Sequence, residues 1–157
     1  MIEIFVDADA CPVKDEVYAV AARLGLPVVV VANQRIHVPR DMGIEMVVVD
    51  SAFDAADDWI VEDIRSGDIV ITADIPLASR CLEKGAHALG THGKEFTTES
   101  IGGALAARDL KASIREAGGV AGGPAPITGR ERSRFANALD AIAQRALREA
   151  NPSGGSC

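Results

Sequence analysis

Asp7 and Asp74 each follow a short apolar run, Ile2 to Val6 in the first case and Ile69 to Ile71 with Thr72 and Ala73 in the second. Such runs read as buried strands, and a carboxylate at a strand's C-terminal end lies where open parallel sheets bind their ligands. Between the two, Asp57, Ile60, Val61 and Ile64 recur at i, i+3, i+4 and i+7, so Asp57 heads the apolar stripe of a helix. Asp58 falls about 100° further round and reads as solvated. Asp54 lies one turn earlier on the Asp57 side, and Asp9 is either a further ligand or the N-cap of the next helix. Carboxylates gathered in a partly dry cleft repel one another, and a bound cation relieves the repulsion. Mg²⁺ or Mn²⁺ takes a few carboxylates, keeps several waters and completes its shell with substrate phosphate, which suits water activation beside a phosphoryl group. The candidate metal set is therefore Asp7, Asp9, Asp54, Asp57 and Asp74, with the catalytic weight on Asp7, Asp57 and Asp74. Against this stands the ordinary use of a single strand-end Asp as a helix cap or turn residue.

Alternating strand and helix signals supply the frame for these residues. After the first strand, Pro12 suits the first turn of a helix, and Val13, Val17, Val20, Ala21 and Leu24 recur at helical spacing until Gly25 and Pro27 stop it. Val28 to Ala32 follows as a strand whose consecutive valines indicate burial on both faces. Met46 to Val49 is a third strand, Phe53 to Arg65 a helix, Ile69 to Ile71 a fourth strand and His87 to Leu89 a short fifth. Leu77 to Lys84, Thr97 to Ala117 and Glu131 to Glu149 are the remaining helices. Strand, helix, strand units of this length predict an α/β fold with a parallel sheet covered by helices. An order of 3-2-1-4-5 would set Asp7 and Asp74 facing each other across the crevice.

The 157 residues suggest one domain over 1–150, with a frayed tail at 151–157. Residues 118–129 hold seven glycines and prolines in twelve positions and read as a long loop. That loop and the helix after it are expected to form a cover, its arginines drawn to the crevice acids. The net charge of −7 disfavours indiscriminate polyanion binding, although residues 108–157 carry 8 basic and 5 acidic side chains against 8 and 18 in residues 1–107. With 4% aromatics, base stacking is an improbable basis for function. Cys11, Cys81 and Cys157 lack metal or redox spacing, the N-terminus lacks a basic leader, and no apolar run reaches the roughly 18 residues of a membrane span. A cytoplasmic location without membrane association is expected, and a homo-oligomer is compatible with these features.

The strings DADACPVK (Asp7 to Lys14), VANQ (Val31 to Gln34), FDAADDWIV (Phe53 to Val61) and GDIVITADIPLA (Gly67 to Ala78) closely resemble the bacterial YaiI/YqxD family. The resemblance runs to about residue 140 and implies a PIN-like three-layer fold. In PIN-like and NYN nucleases the acids come from the end of the first strand, a central helix and a point just after the fourth strand, which match Asp7, Asp57 and Asp74. The resemblance thus implies a metal-dependent nuclease, with RNA or another phosphodiester as partner. Asn33 and Gln34 at a strand end, Thr72, and Arg130 and Arg132 are candidate substrate contacts, Arg134 being a further arginine nearby. Relatives carry an Asp-Arg pair ahead of a Phe where this chain has Glu131 and Arg132 before Phe135, so a role needing the shorter acid is not expected.

Two other readings remain open. Asp7-x-Asp9 also looks like the opening motif of haloacid-dehalogenase-type phosphatases, with Asp7 as nucleophile, but Gly67-Asp68 precedes the Thr72 strand and no lysine motif is placed suitably. A PIN-like body that binds nucleic acid or protein without cleavage is the other. His37, His87 and His92 lack ligand spacing, and His92-Gly93-Lys94 is no P-loop.

Overall fold

The computed structural model describes residues 2–8, 11–39, 43–50, 55–103 and 127–150. Its strands are β1 (Ile4–Asp7), β2 (Val28–Ala32), β3 (Ile44–Val48), β4 (Ile69–Ile71), β5 (His87–Leu89) and β6 (Glu95–Phe96). The helices are α1 (Lys14–Leu24), α2 (Ala55–Asp63), α3 (Ile75–Glu83) and α4 (Gly129–Ala150). One sheet of order β3-β2-β1-β4-β5-β6 runs through the molecule, parallel except for the last pair. Helices flank it on both sides, in the three-layer α/β arrangement expected, with the expected order extended by one strand.

Alternation along the strands divides the core in two. Ile4, Val6, Val28, Val30, Ile69, Ile71 and Leu89 pack with α1 and α4. Phe5, Val29, Val31, Val70 and Ala88 pack on the other side with Ile60 and Ile64 of α2 and with Leu77, Ala78 and Cys81 of α3. All five residues of β2 are buried, as its valine run predicts, whereas β3 at the sheet edge is largely half-exposed. The register pairs Val6 of β1 with Ile71 of β4, so the next residues, Asp7 and Thr72, leave the sheet side by side. Each lies two positions beyond a residue of the α2 and α3 side, Phe5 and Val70, and so belongs to that face.

Local chemistry explains the element ends. α1 closes in left-handed Gly25, φ 70°, where Leu26 N–H donates to the Ala21 carbonyl at 2.9 Å and buries its own side chain. α3 opens at Ile75 rather than Leu77 because Asp74 caps it and Pro76 fits its first turn. Pro12 sits in a turn ahead of α1, whose N-cap position is Val13 without a side-chain bond, so Pro12 is not the helix's first-turn residue. The third strand starts two residues before the expected Met46, and α4 starts at Gly129, the last residue of the expected loop. There, Thr128 Oγ1 accepts from Glu131 N–H at 3.1 Å and donates to Glu131 Oε1 at 3.2 Å, a Thr-x-x-Glu cap legible in the sequence. Thr97 caps a helical segment through Ser100, and Ile101 to Gly103 are helical. The expected continuation to Ala117, residues 118–126 of the expected loop and the tail 151–157 lie outside the described residues.

Candidate functional site

Adjacent strand ends bring Asp7 and Asp74 into one hydrogen-bonded chain. Thr72 Oγ1 donates to Asp7 Oδ2 at 2.8 Å and accepts from the Asp74 N–H at 2.9 Å. Asp74 Oδ1 in turn accepts from Leu77 N–H at 3.0 Å, so this residue is the N-cap of α3. A carboxylate has two oxygens, and the second of Asp74 has no hydrogen-bond partner among the described residues. Thr72 is fully buried, and its hydroxyl serves the two acids. Both carboxylates are half-buried at the C-terminal edge of the sheet, on its α2 and α3 face.

Asp57 enters from α2. Ile60 and Ile64 of its stripe are fully buried, Asp57 is half-buried and Asp58 exposed, as helical phase requires. Trp59 holds α2 over β1, its ring centroid 6.3 Å from that of Phe5. Other contacts set the helix against the middle of α3 rather than its start. Asp58 pairs with Arg80 at 3.0 Å, and Lys84 Nζ donates to the Val61 carbonyl. Cys81 lies in the same place: burial pushes its thiol up to about 12, Lys84 and Arg80 oppose that, and the charge of Asp57 adds to it. Among the described residues no three His, Cys, Asp or Glu side chains are grouped to hold a metal ion. Asp9 and Asp54 lie outside the described residues.

The other candidates occupy the same edge. Asn33 and Gln34 are exposed in the bend after β2, the strand beside β1. Arg130 is exposed, whereas Arg132 donates to the Pro12 carbonyl and to Glu16 Oε1, both at 2.8 Å. The contact that Arg132 makes is therefore with α1 and not with Asp7, Asp57 or Asp74. Glu131, the residue that departs from the family pair, caps α4 and approaches His92 Nε2 at 3.3 Å. Cys11, just beyond β1, has its thiol raised chiefly by burial, with the charge of Asp7 adding. Asp68 is at the opposite edge of the sheet, buried and bonded by the Glu3 and Arg65 N–H groups. It is thereby removed from any phosphatase-like role beside Asp7.

Sequence reasoning missed β6, which pairs antiparallel with β5 through the turn at Gly90 to Lys94. The signal was the pair of glycines: Gly93, φ 91°, donates its N–H to the Gly90 carbonyl at 3.0 Å. It also missed that Thr72 links the acids, because the register between neighbouring strands cannot be read from one chain's periodicity.

These features define an α/β protein with strand-end carboxylates at a parallel-sheet edge. A family model described as "Uncharacterized BCR, YaiI/YqxD family" matches residues 5–145. A UPF0178 protein of Rhodopseudomonas palustris strain TIE-1 is 55% identical over 148 residues, covering 94% of each chain. Similar proteins, also described as UPF0178, occur in Rhodospirillum rubrum, 56% identical over 91% of this chain and 96% of that one, and in Brucella suis, 57% identical over 87% and 86%. No solved structure matches. The chain belongs to the YaiI/YqxD family.

Proposed function

We propose that this protein is a divalent-metal-dependent phosphodiesterase, with RNA the favoured substrate. The observation that carries the reading is the Thr72 hydroxyl, which fixes Asp7 beside the capped start of α3. Asp7 and Asp74 are assigned as the direct ligands. A three-carboxylate cage is absent among the described residues, but Mg²⁺ is commonly held by one or two carboxylates with waters and substrate phosphate. When bound, the ion supplies charge neutralisation at phosphate and lowers the pKa of water. The chain's own groups do the positioning. Thr72 orients Asp7, the first-turn N–H groups and dipole of α3 favour an anion at that end, and Asn33 and Gln34 border the entrance from β2. Asp57, set against the middle of α3, is assigned a catalytic role outside the direct ligand pair.

Hydrolysis of bis(4-nitrophenyl) phosphate and of a labelled RNA oligonucleotide, with Mn²⁺ or Mg²⁺ titrated in, tests this. Asp7→Asn and Asp74→Asn should each remove metal-dependent turnover. Asp74→Asn is the cleaner variant, since Asn caps helices as well as Asp and the fold should keep its stability. Wild-type turnover in either variant would sink the proposal. Turnover of phosphomonoesters through an aspartyl-phosphate on Asp7 would replace it with the phosphatase reading, and metal-free RNA binding without cleavage by the wild-type protein would replace it with a binding module.

A further inference from the structure

We infer that the free edge of β3 is the contact surface of a homodimer, in which two copies join their sheets by antiparallel pairing of β3 with β3 about a two-fold axis at Met46. The inference is independent of the phosphodiesterase reading. β3 ends the sheet on one side and β6 on the other, and the two edges are built differently. β6 has two residues, and Glu95 within it is tied to Arg145 of α4, so it offers little to a further strand. β3 has five, Ile-Glu-Met-Val-Val, with neither the lysine nor the proline that commonly guards an edge. A helix usually joins and covers parallel neighbours such as β2 and β3, but the described residues of this connection, 33–39, form none.

Backbone bonding fixes which groups the edge presents. Val28 N–H donates to the Gly43 carbonyl at 3.0 Å and Val49 N–H to the Ala32 carbonyl at 2.9 Å, so the odd-numbered residues of this strand bond to β2. In a parallel ladder the alternate residues turn their N–H and C=O groups outward, which here are those of Ile44, Met46 and Val48. Among the described residues no strand pairs with them. An antiparallel partner centred on Met46 uses all three. Met46 then faces the partner's Met46, and Ile44 faces the partner's Val48, each as a pair that exchanges two hydrogen bonds. A centre at Glu45 would set two like charges opposite each other, whereas this one puts Glu45 opposite the partner's Val47.

The side chains are self-complementary in the same register. Val48, 47% exposed, is the one large hydrophobic residue left exposed among the described residues. Met46 and Ile44, two and four positions earlier, share its face. They join Ile36, Val38 and Pro39 of the preceding segment in lining an open groove of about 780 Å³. Pairing about Met46 lays the partner's Val48 on Ile44 and so into this groove, while Val48 enters the groove of the partner. A knob and a groove four residues apart on one strand fit each other across a two-fold axis between them, and that commits the surface to a second copy of this chain. A contact of this extent lies at the small end of specific interfaces, so the dimer forms at high rather than trace concentration.

The test is sedimentation velocity of the full chain over about a hundredfold range of concentration reaching roughly 500 µM, with amide hydrogen exchange at both ends of that range. The average mass should rise from that of one chain towards twice that value. Exchange at the Ile44, Met46 and Val48 amides should slow with concentration, by about tenfold once nine chains in ten are paired, while Glu45 and Val47 stay protected throughout by β2. Val48→Lys puts a charge into the partner's apolar groove and should hold the protein at monomer mass at every concentration. The position is exposed, so the fold should be kept, and exchange in the wild-type protein reports the pairing without any variant. Monomer mass throughout, a dimer that survives Val48→Lys, or assembly beyond two chains would each overturn the inference. Protection of Ile44, Met46 and Val48 that does not change on dilution would also overturn it, in favour of a segment of the same chain lying along the edge.

Discussion

The two faces of the sheet present opposite chemistry at the same edge. On the α2 and α3 side Asp7, Asp74 and Asp57 stand over a core that includes Ile60, Ile64 and Leu77. On the α1 and α4 side the acids Glu16 and Glu131 are already taken up, by Arg132 and by the Thr128 cap, and Arg130 and Arg134 are left exposed. Alternation decides the acidic side, because a residue two beyond Phe5 must share its face. Helix packing decides the basic side, because α4 meets the strands only through tertiary contact. The comparison shows that charges at this edge are used differently in the two layers: acids meet at a buried hydroxyl on one, and arginines are exposed or paired on the other.

The largest test of the division is to remove the apolar anchor of one face at a time. Phe135 is fully buried in the α1 and α4 core, and Phe135→Ala should cost about 3 to 5 kcal/mol in chemical denaturation, from lost burial and the cavity left behind. Ile60→Ala on the other face should cost about 2 to 5 kcal/mol. Metal-dependent diester hydrolysis should fall more in the second variant than in the first, because Ile60 anchors the helix that carries Asp57. Equal losses of hydrolysis in both variants would mean that the acids do not depend on one face of the sheet.

A smaller effect is expected where the two strand ends meet. Thr72→Val keeps the shape but removes the donor to Asp7 and the acceptor for the Asp74 N–H, costing about 1 to 3 kcal/mol. Diester hydrolysis should drop while Thr72→Ser, which restores the hydroxyl, recovers it. A Val variant as active as wild type would show that Asp7 does not depend on Thr72 for its position.

Arg132→Ala should matter least. Its bridge to Glu16 is half-exposed, and such pairs contribute about 0 to 1 kcal/mol, so the midpoint of denaturation should scarcely move. Metal-dependent diester hydrolysis should also stay put, since this arginine is engaged with Pro12 and Glu16. A loss of hydrolysis in this variant would return Arg132 to the substrate contacts.

Much of this protein follows from local rules acting along the chain. The all-buried valines of β2, the spans of β4 and β5, the glycine stop of α1 and the half-buried phase of Asp57 are consequences of side-chain period and of residues that cap or break helices, whereas β1 runs Ile4–Asp7 rather than the expected Ile2 to Val6. The strand order 3-2-1-4-5 was also within reach, since parallel strands require helical crossovers and chirality leaves few arrangements. Tertiary structure alone decided that Thr72 rests on Asp7, across 65 residues of chain, because a register between strands is fixed by the packing of whole faces. It decided likewise that Asp57 stands against the middle of α3, that Arg132 turns to Glu16, and that Gly93 packs against Arg134. Periodicity states which side of an element a residue faces; the offset between elements comes from how their side chains interlock, and no single segment carries that information.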